Sequence, residues 1–282
     1  MMYLVTGATG EIGSRVVECL LRSDKRVRVF ARNVEKARLR FGNRVEIFSG
    51  DLADPDSLRP ALEQVDGLFL VSTGPEIPRY DRSAARVAKA AGVGRLVKLS
   101  SMDVEQGIAL GRWHEQGEDG VRAADIPFTF VRPSGFMSNL LAWAAPIQRE
   151  GVLRSSTGGG RRALIHPIDI AEVSVAALTT GGYQGKCLTI TGPEALTYAE
   201  IAEKIGVATG KHLTYQQISD DEAQAWYRAT GASDSETEAH VALWRAIREG
   251  RLAMVTGTVE QVLGRKPLAI AQWIAENAAE FC

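Results

Sequence analysis

The sequence predicts an α/β protein with a doubly wound parallel sheet and a smaller, mainly helical C-terminal lobe. Three observations predict this fold. Apolar strand patterns alternate with helical patterns from the N-terminus to about residue 131, as they do when helices connect parallel strands. The predicted strand at 67–71 is apolar at nearly every position, which is typical of a strand covered on both faces. After Arg132-Pro133 the alternation loosens, and from Thr197 onward the pattern is mostly helical, with one short strand near 213–216.

The first predicted strand runs into a glycine turn, and residues 3–13 read Tyr-Leu-Val-Thr-Gly-Ala-Thr-Gly-Glu-Ile-Gly before an apolar helical pattern begins. Gly7 permits a tight turn, Gly10 lets a ligand approach the backbone, and Gly13 lets the helix pack closely on the strand. The free N–H groups and the positive dipole end of such a helix can hold a pyrophosphate. The turn therefore predicts a Rossmann-type dinucleotide site; the alternative is a tight strand-to-helix turn without a ligand.

The second predicted strand, at 27–30, is followed by Arg32 and, one helical turn later, by Lys36. An NAD site usually has Asp or Glu about 20 residues after the glycines, where the carboxylate holds the ribose hydroxyls. A carboxylate there would repel a 2′-phosphate, whereas a guanidinium binds it through two hydrogen bonds. These residues favour NADP(H) over NAD(H); the alternative is that both are solvated charges on a surface helix. Glu11 is discordant, because it adds a negative charge beside the phosphates.

The other predicted elements continue the alternation. A helix is predicted to begin with Asp54 as its N-cap and Pro55 as its first residue. The remaining elements are strands at 45–48, 67–71, 95–100, 128–131 and 187–191, and helices at about 80–91, 114–124 and 169–179. We expect residues 1–133 to form the cofactor-binding core and residues 134–282 to form a substrate lobe, from which about 165–191 return to the core. No polar linker divides the chain, so we expect one folded unit.

Composition limits the partners that the protein can have. The 282 residues are 45% hydrophobic and 24% charged, which is ordinary for a globular protein. The net charge of −1 gives no electrostatic basis for binding nucleic acid. No apolar run approaches the length of a membrane span and no signal peptide precedes the first strand, so we expect a cytoplasmic protein without a membrane partner. The cysteines, Cys19, Cys187 and Cys282, have no metal-ligand spacing, so no metal site is predicted. The oligomeric state stays open.

A series of short motifs follows in order along almost the whole chain: Thr6 to Gly13, Arg32 to Ala37, Gly50-Asp51, Ser100-Ser101, Val131 to Phe136, Asp169-Ile170-Ala171, Thr191 to Glu194 and Gly264 to Trp273. Each motif alone is moderately specific, whereas their order and spacing are more so. The series resembles the NmrA-like group of atypical short-chain dehydrogenases/reductases, especially its NADPH-dependent quinone and triphenylmethane reductases.

The resemblance implies a set of cofactor contacts at the ends of successive strands. They comprise the glycine turn, the basic end of the second strand, the residues after the third, fourth and fifth strands, and the segment after the Arg-Pro pair. The set is Gly7, Thr9, Gly10, Glu11, Ile12, Gly13, Arg32, Lys36, Asp51, Leu52, Ser72, Thr73, Gly74, Ser100, Pro133, Ser134, Gly135 and Phe136. Two alternatives stay open: Asp51 also suits a loop-capping role, and the hydroxyls of Ser72 and Thr73 also suit a turn.

Many relatives of this group reduce carbonyls with a Tyr-x-x-x-Lys pair, in which Tyr donates a proton and Lys lowers its pKa. No tyrosine of this chain is followed four residues later by lysine. The corresponding segment instead places His114 and Glu118 four residues apart, on one helix face. We interpret His114 as a ribose ligand or proton donor oriented by Glu118; the alternative is that both residues only begin a solvent-facing helix.

Without a built-in acid, the site suits acceptors that are already electrophilic, such as quinones, cationic dyes and conjugated compounds. Catalysis would then depend on the proximity and orientation of nicotinamide and acceptor. The predicted pocket wall is Trp113, Phe136, Met137, Asn139, Leu140 and Trp143. Phe136, Leu140 and Trp143 fall at helical spacing and could line one helix face, although such a stripe is more often plain core. We therefore expect an NADPH-dependent reductase of a small molecule. A non-catalytic NADP(H) sensor is the main alternative, and an isomerase or dehydratase with bound cofactor is a weaker one.

Overall fold

The computed structural model describes residues 1–282, which form eleven strands and eleven α-helices joined by short 3-10 turns. The strands are β1 Met2–Thr6, β2 Arg26–Ala31, β3 Glu46–Ser49, β4 Gly67–Leu70, β5 Arg95–Leu99, β6 Phe128–Pro133, β7 Val152–Ser155, β8 Arg161–Arg162, β9 Lys186–Ile190, β10 Leu196–Thr197 and β11 Thr214–Gln217. The α-helices are α1 Glu11–Arg22, α2 Val34–Phe41, α3 Ile77–Ala90, α4 Ala109–Arg122, α5 Ala144–Glu150, α6 Pro167–Thr179, α7 Tyr198–Thr209, α8 Asp220–Ala229, α9 Asp234–Arg248, α10 Thr258–Leu263 and α11 Ile270–Glu276.

Seven strands form one sheet in the order β3-β2-β1-β4-β5-β6-β9. The pairings from β3 through to β6 are parallel, so the carboxyl ends of these strands meet at one edge. The order reverses between β1 and β4, which is the switch point at which doubly wound sheets bind their ligands. The predicted doubly wound α/β fold is confirmed.

One face of the sheet is covered by α3 and α4, and its residues follow the two-residue period of strands. Leu68 and Leu70 of β4, Leu96 of β5 and Phe130 of β6 belong to one buried apolar cluster on this face, together with Ala84, Ala85 and Ala88 of α3 and Val121 of α4. On the other face, α1 and α6 pack against each other. The sheet is therefore enclosed on both sides, as its apolar strands predict.

The chain divides into two compact units. The first contains Met1–Ser101, Trp113–Pro133 and Pro167–Thr189, and holds the seven-stranded sheet apart from the last residue of β9. The second contains Met102–Arg112, Ser134–His166 and Ile190–Cys282. None of the helices is both long and apolar enough to cross a lipid bilayer.

The second unit has its own apolar core, centred on stacked aromatic rings. The ring of Trp143 lies 5.8 Å from that of Trp226 and 5.9 Å from that of Trp244. The indole N–H of Trp143 donates to the carbonyl oxygen of Arg154 at 2.6 Å, so the one polar atom of this side chain is satisfied. Two short strand pairs, β7 with β11 in parallel and β8 with β10 antiparallel, lie in the same unit.

Two elements differ in type from their prediction. The segment after Asp54 is a 3-10 turn at Pro55–Leu58, although Asp54 caps it by accepting a hydrogen bond from the N–H of Asp56 at 3.2 Å. The stripe that begins after Phe136 is a 3-10 helix at Met137–Trp143. Periods of 3 and 3.6 residues cannot be distinguished over seven positions, so the sequence pattern did not separate the two helix types. The short elements α5, β7, β8 and β10 were not predicted.

Candidate cofactor site and active site

The turn between β1 and α1 has a geometry that requires glycine. Gly7 has φ of +59°, in the left-handed region that side chains rarely adopt. A Cβ at residue 13 would lie 2.3 Å from the carbonyl oxygen of Gly7, so the first turn of α1 packs directly on the strand end. The two glycines therefore bring the start of the helix to the carboxyl edge of the sheet, beside the switch point.

The first turn of α1 presents backbone donors. Its N-cap is Gly10, which has no side chain to accept from the N–H groups of the first turn. The first intrahelical bond of the turn runs from the N–H of Ser14 to the carbonyl oxygen of Gly10 at 3.1 Å, so the N–H groups of Ile12 and Gly13 have no intrahelical acceptor. The residues present fit a pyrophosphate, because its oxygens would supply the missing acceptors and its charge suits the helix dipole.

The carboxyl ends of β2 and β3 carry exposed charges. The side chain of Arg32 is 81% exposed, and its closest guanidinium nitrogen is 4.0 Å from the carboxylate of Asp51. Asp51 also accepts from the N–H of Ala53 at 2.9 Å, so it has the loop-capping role that was one of its two alternatives. Lys36 is exposed in the first turn of α2. The guanidinium of Arg32 is held only loosely, so it can turn toward a ligand phosphate.

Polar groups replace the apolar ones where the strands end, on the face covered by α3 and α4. Ser72 comes two residues after Leu70, and Lys98 and Ser100 continue the face of Leu96. Arg132 likewise comes two residues after Phe130. All four residues are at most 9% exposed. A row of enclosed polar groups thus lies along the carboxyl edge of β4, β5 and β6.

Ser72 and Lys98 belong to a chain of four side chains that leads from β4 to α4. The hydroxyl of Ser72 donates to Oδ1 of Asp81 at 2.6 Å, and the ammonium of Lys98 lies 2.6 Å from Oδ2 of the same carboxylate. Both Asp81 and Lys98 are completely buried. Lys98 Nζ also lies 3.4 Å from Nδ1 of His114. Burial, and secondarily the positive charge of Lys98, hold the pKa of His114 well below its ordinary value of 6.5.

A second network surrounds Glu118, which is completely buried. Its carboxylate accepts from Nε and Nη2 of Arg132 at 2.9 and 2.5 Å. The hydroxyl of Ser100 donates to it at 2.6 Å, and the guanidinium of Arg122 donates at 3.0 Å. His114 therefore has Lys98 as its partner, and Glu118, which we expected to orient it, binds Arg132, Ser100 and Arg122 instead. The cause is the burial of Glu118, because a buried carboxylate takes the nearest cation.

The remaining predicted cofactor residues are divided between the two units. Thr73 is exposed, Thr9, Leu52 and Gly74 are half-buried, and Pro133 ends β6; all five lie in the first unit. Ser134, Gly135 and Phe136 lie in the second unit. There, Phe136 is half-buried and bridges to Ile165, while Gly135 lies against the guanidinium of Arg162, which would be 2.9 Å from a Cβ at residue 135.

The structure separates the six predicted pocket residues. Met137, Leu140 and Trp143 are at most 4% exposed and belong to the apolar core of the second unit, so they are packing residues there. Phe136 is half-buried and Asn139 is exposed in the same unit. Trp113 is half-buried and lies in the first unit. Of the six residues, Phe136, Asn139 and Trp113 are therefore the ones with surface available for a ligand.

Sequence reasoning missed Asp81, Lys98 and the binding partners of Arg132. One signal could have found Lys98, because a lysine inside the apolar strand Arg95–Leu99 must either be paired or lose its charge. No comparable signal marked Asp81, which stands in an amphipathic helix among other charged residues.

Comparison with known protein families gives one match over most of the chain. The model of the NAD(P)H-binding family matches residues 7–181, which include the glycine turn, Lys98 and His114. The motif series pointed to the NmrA-like members of such reductases, and this resemblance is confirmed.

Individual relatives align along the full length. A (4-alkanoyl-5-oxo-2,5-dihydrofuran-3-yl)methyl phosphate reductase from Streptomyces griseus is 38% identical over 283 residues, which cover 99% of each chain. An NAD(P)H azoreductase from Xenophilus azovorans is 33% identical over 285 residues, again 99% of each chain. The crystal structure of an NADPH-dependent quinone oxidoreductase from Escherichia coli, in complex with NADPH, superposes with a TM-score of 0.89 and 24% identity over 98% of this chain and 99% of that one. This last likeness is one of fold.

Proposed function

The chain belongs to the NAD(P)H-binding family, in its NmrA-like branch, and from that premise we propose that it is an NADPH-dependent reductase of small conjugated acceptors. The glycine turn is the observation that carries the proposal. Its backbone contact between Gly7 and Gly13 brings uncapped N–H groups to the switch point of the sheet, where a pyrophosphate is the fitting ligand. Full-length relatives named as reductases, one of them as an NAD(P)H azoreductase, support an enzyme over a sensor.

We infer a preference for NADP(H) from Arg32 and Lys36. Arg32 is exposed just after β2 and Lys36 is exposed in the first turn of α2, and the carboxylate of Asp51 is 4.0 Å from Arg32. A 2′-phosphate offers three acceptor oxygens and a charge of about −2, so it would bind the guanidinium more strongly than Asp51 does. Ribose hydroxyls offer no such gain. The cofactor, when bound, supplies a hydride.

The proposed acceptors share an electrophilic bond in a conjugated system, and in butenolides and quinones that bond is conjugated to a carbonyl. The Streptomyces griseus reductase is named for a dihydrofuranone whose ring double bond is conjugated to two carbonyls, and quinones have the same kind of conjugation. Addition of hydride to the far carbon of that bond moves its electron pair onto carbonyl oxygen and gives an enolate. The enolate is delocalised, so water can supply its proton. Such a reaction needs no Tyr-Lys pair, in keeping with this sequence.

We assign the protein's part of the chemistry to positioning and hydrogen bonding. The glycine turn and Arg32 would fix the cofactor, and the polar row at the ends of β4, β5 and β6 would surround the reacting groups. His114 of α4 lies beside Lys98 of this row, and no other group of the chain binds its Nε2 atom. It would donate a hydrogen bond to the acceptor oxygen. Glu118 would keep the row in place through Arg132 and Ser100.

A single assay with purified protein tests this function. NADPH and NADH oxidation is followed with a quinone, an azo dye, a triphenylmethane dye, a conjugated butenolide and a simple ketone. We expect turnover with one or more of the conjugated acceptors, faster with NADPH, and none with the ketone. Binding of NADPH without turnover of any acceptor would contradict the reductase and favour the sensor. Absence of binding of either reduced cofactor would contradict both.

A further inference from the structure

We propose that Lys98, anchored by Asp81, is a positioning residue that fixes His114 in a single neutral tautomer, with its proton on Nε2. His114 then presents a hydrogen-bond donor to its ligand and is not an acid. The inference deepens the proposed function, because it specifies what His114 does in the active site. It depends on the arrangement of three side chains within the first unit.

The first step is the hydrogen-bond inventory of Lys98. An ammonium has three N–H donors and no acceptor. Lys98 Nζ has three acceptors around it: Oδ2 of Asp81 at 2.6 Å, the carbonyl oxygen of Leu99 at 3.4 Å and Nδ1 of His114 at 3.4 Å. The side chain is completely buried, so water does not replace any of these partners. The ammonium therefore forms an ion pair with the carboxylate of Asp81 and has the carbonyl oxygen of Leu99 and Nδ1 of His114 as its hydrogen-bond acceptors.

The second step concerns His114. Because the ammonium only donates, the imidazole nitrogen facing it must accept, and Nδ1 carries no proton. A neutral imidazole then carries its proton on Nε2. No other group of the chain pairs with Nε2, so this N–H is left for a ligand. The doubly protonated form would place an N–H of the ring against the ammonium, which is repulsive in a buried site.

The third step is the anchor. Asp81 holds the ammonium on one side and accepts from Ser72 on the other, so the charge of Lys98 is compensated inside the fold. Gly117 of α4 lets the carboxylate approach, since a Cβ at residue 117 would lie 2.2 Å from Oδ2 of Asp81. The charged side chains near His114 are thus Lys98 from β5 and, behind it, Asp81 from α3, whereas Glu118 on α4 is occupied by Arg132.

A fixed Nε2–H donor suits the reduction of conjugated acceptors. It stabilises the oxygen on which negative charge develops, and it does so without transferring a proton. The proton of the product then comes from water, and the imidazole is unchanged at the end of each turnover. We therefore expect the rate of reduction to be independent of the protonation of His114 in the neutral pH range.

Nitrogen NMR of the full-length protein labelled with ¹⁵N-histidine tests the inference without substrate. The His114→Gln variant assigns the resonances of His114. In the wild-type protein we expect a protonated Nε2 and an unprotonated Nδ1 throughout pH 6 to 8. In Lys98→Met we expect a mixture of the two neutral tautomers and a His114 pKa higher than in the wild type, because the positive charge that helps to lower it is removed. Lys89→Met is the matched control, since Lys89 is an exposed lysine of α3, and it should leave the His114 signals unchanged.

Three outcomes would overturn the inference: an imidazolium at pH 7, a proton on Nδ1 in the wild type, or identical His114 signals in Lys98→Met and wild type. If Lys98→Met does not fold, the wild-type spectrum decides, together with Gly117→Ala, which displaces Asp81 and should move the His114 signals. The tautomer is measured without acceptor or cofactor. Failure of the acceptor panel would therefore contradict the proposed function and leave this measurement unaffected.

Discussion

Glu118 and Arg132 form a two-point ion pair that joins α4 to the end of β6 and is shielded from water. Its N–O distances are 2.9 and 2.5 Å, and Ser100 and Arg122 use the remaining lone pairs of the carboxylate. A fully satisfied buried pair contributes little net energy, but removal of one partner leaves an uncompensated charge. The pair therefore holds α4, the helix that also carries His114, against the carboxyl edge of the sheet.

We predict that Glu118→Ala lowers the free energy of unfolding by about 3–5 kcal/mol, because Arg132 is left buried without its carboxylate. Urea unfolding monitored by tryptophan fluorescence measures the change. Asp119→Ala is the matched control: it removes the neighbouring carboxylate, which is 67% exposed and pairs only with Arg122, and should cost less than about 1 kcal/mol. Equal losses in the two variants would show that the buried pair has no special role.

The backbone contact of the glycine turn leads to a second prediction. Gly13→Ala places a methyl group 2.3 Å from the carbonyl oxygen of Gly7, so α1 must move away from the strand end. We expect NADPH to bind at least about tenfold more weakly, which is 1.4 kcal/mol. Isothermal titration calorimetry gives the affinity. Gly181→Ala, at a position with open space around its Cβ, should bind NADPH like the wild type; an unchanged affinity in Gly13→Ala would remove the turn from the cofactor site.

Arg32 gives the third prediction. We expect Arg32→Asp to weaken NADPH binding by about 10- to 100-fold, since a charge-assisted hydrogen-bonded contact contributes about 1.5–3 kcal/mol and the new carboxylate repels the 2′-phosphate. NADH lacks that phosphate and should lose far less. Dissociation constants of both cofactors are compared by calorimetry. Arg38→Asp, which changes an exposed arginine farther along α2, is the control. A loss of equal size for NADH and NADPH would exclude the phosphate role.

His114 can be separated from cofactor binding in the same way. We expect His114→Ala to lower kcat by roughly 10- to 100-fold, the order of a lost hydrogen bond to developing charge, while the NADPH dissociation constant changes less than about threefold. Steady-state kinetics measures kcat, and calorimetry measures the NADPH dissociation constant. His212→Ala removes an exposed histidine and should leave both values at the wild-type level. Unchanged turnover in His114→Ala would return that residue to a structural role.

The sequence predicted the parts of this site that are local in the chain. The glycine turn lies within eleven consecutive residues, and Arg32 has a fixed place after β2, so periodicity and turn chemistry are sufficient to locate them. Helix and strand types were predictable for the same reason, except at Pro55–Leu58 and Met137–Trp143, where the segments are too short to distinguish helix periods.

The sequence could not predict the partners of the enclosed polar groups. Asp81 meets Lys98 because α3 packs on the face of the sheet that carries Lys98, and that packing depends on alanines of α3 in the same apolar cluster. The number of residues between Asp81 and Lys98 in the sequence does not indicate that the two side chains are in contact. Glu118 is four residues from His114 and was therefore paired with it by helix geometry, but burial places it beside Arg132, fourteen residues further on. Which cation a buried carboxylate binds is decided by how the helices and strands pack in the folded protein.

The low pKa of His114 gives the last prediction, on stability against pH. An unfolded histidine protonates near pH 6.5, whereas the folded state resists protonation because His114 is enclosed and faces Lys98. Below pH 6.5 the unfolded chain thus binds more protons than the folded one, and stability falls as pH decreases, by at most about 1.4 kcal/mol per pH unit from this residue. Above pH 6.5 both states are neutral there and the contribution is absent. Urea unfolding of wild type and His114→Gln at pH 5.5 and 7.5 measures the effect, with His212→Gln as the control that keeps the wild-type dependence. We expect His114→Gln to lose less stability on acidification than the wild type; equal losses would mean that His114 protonates in the fold as easily as in the unfolded chain.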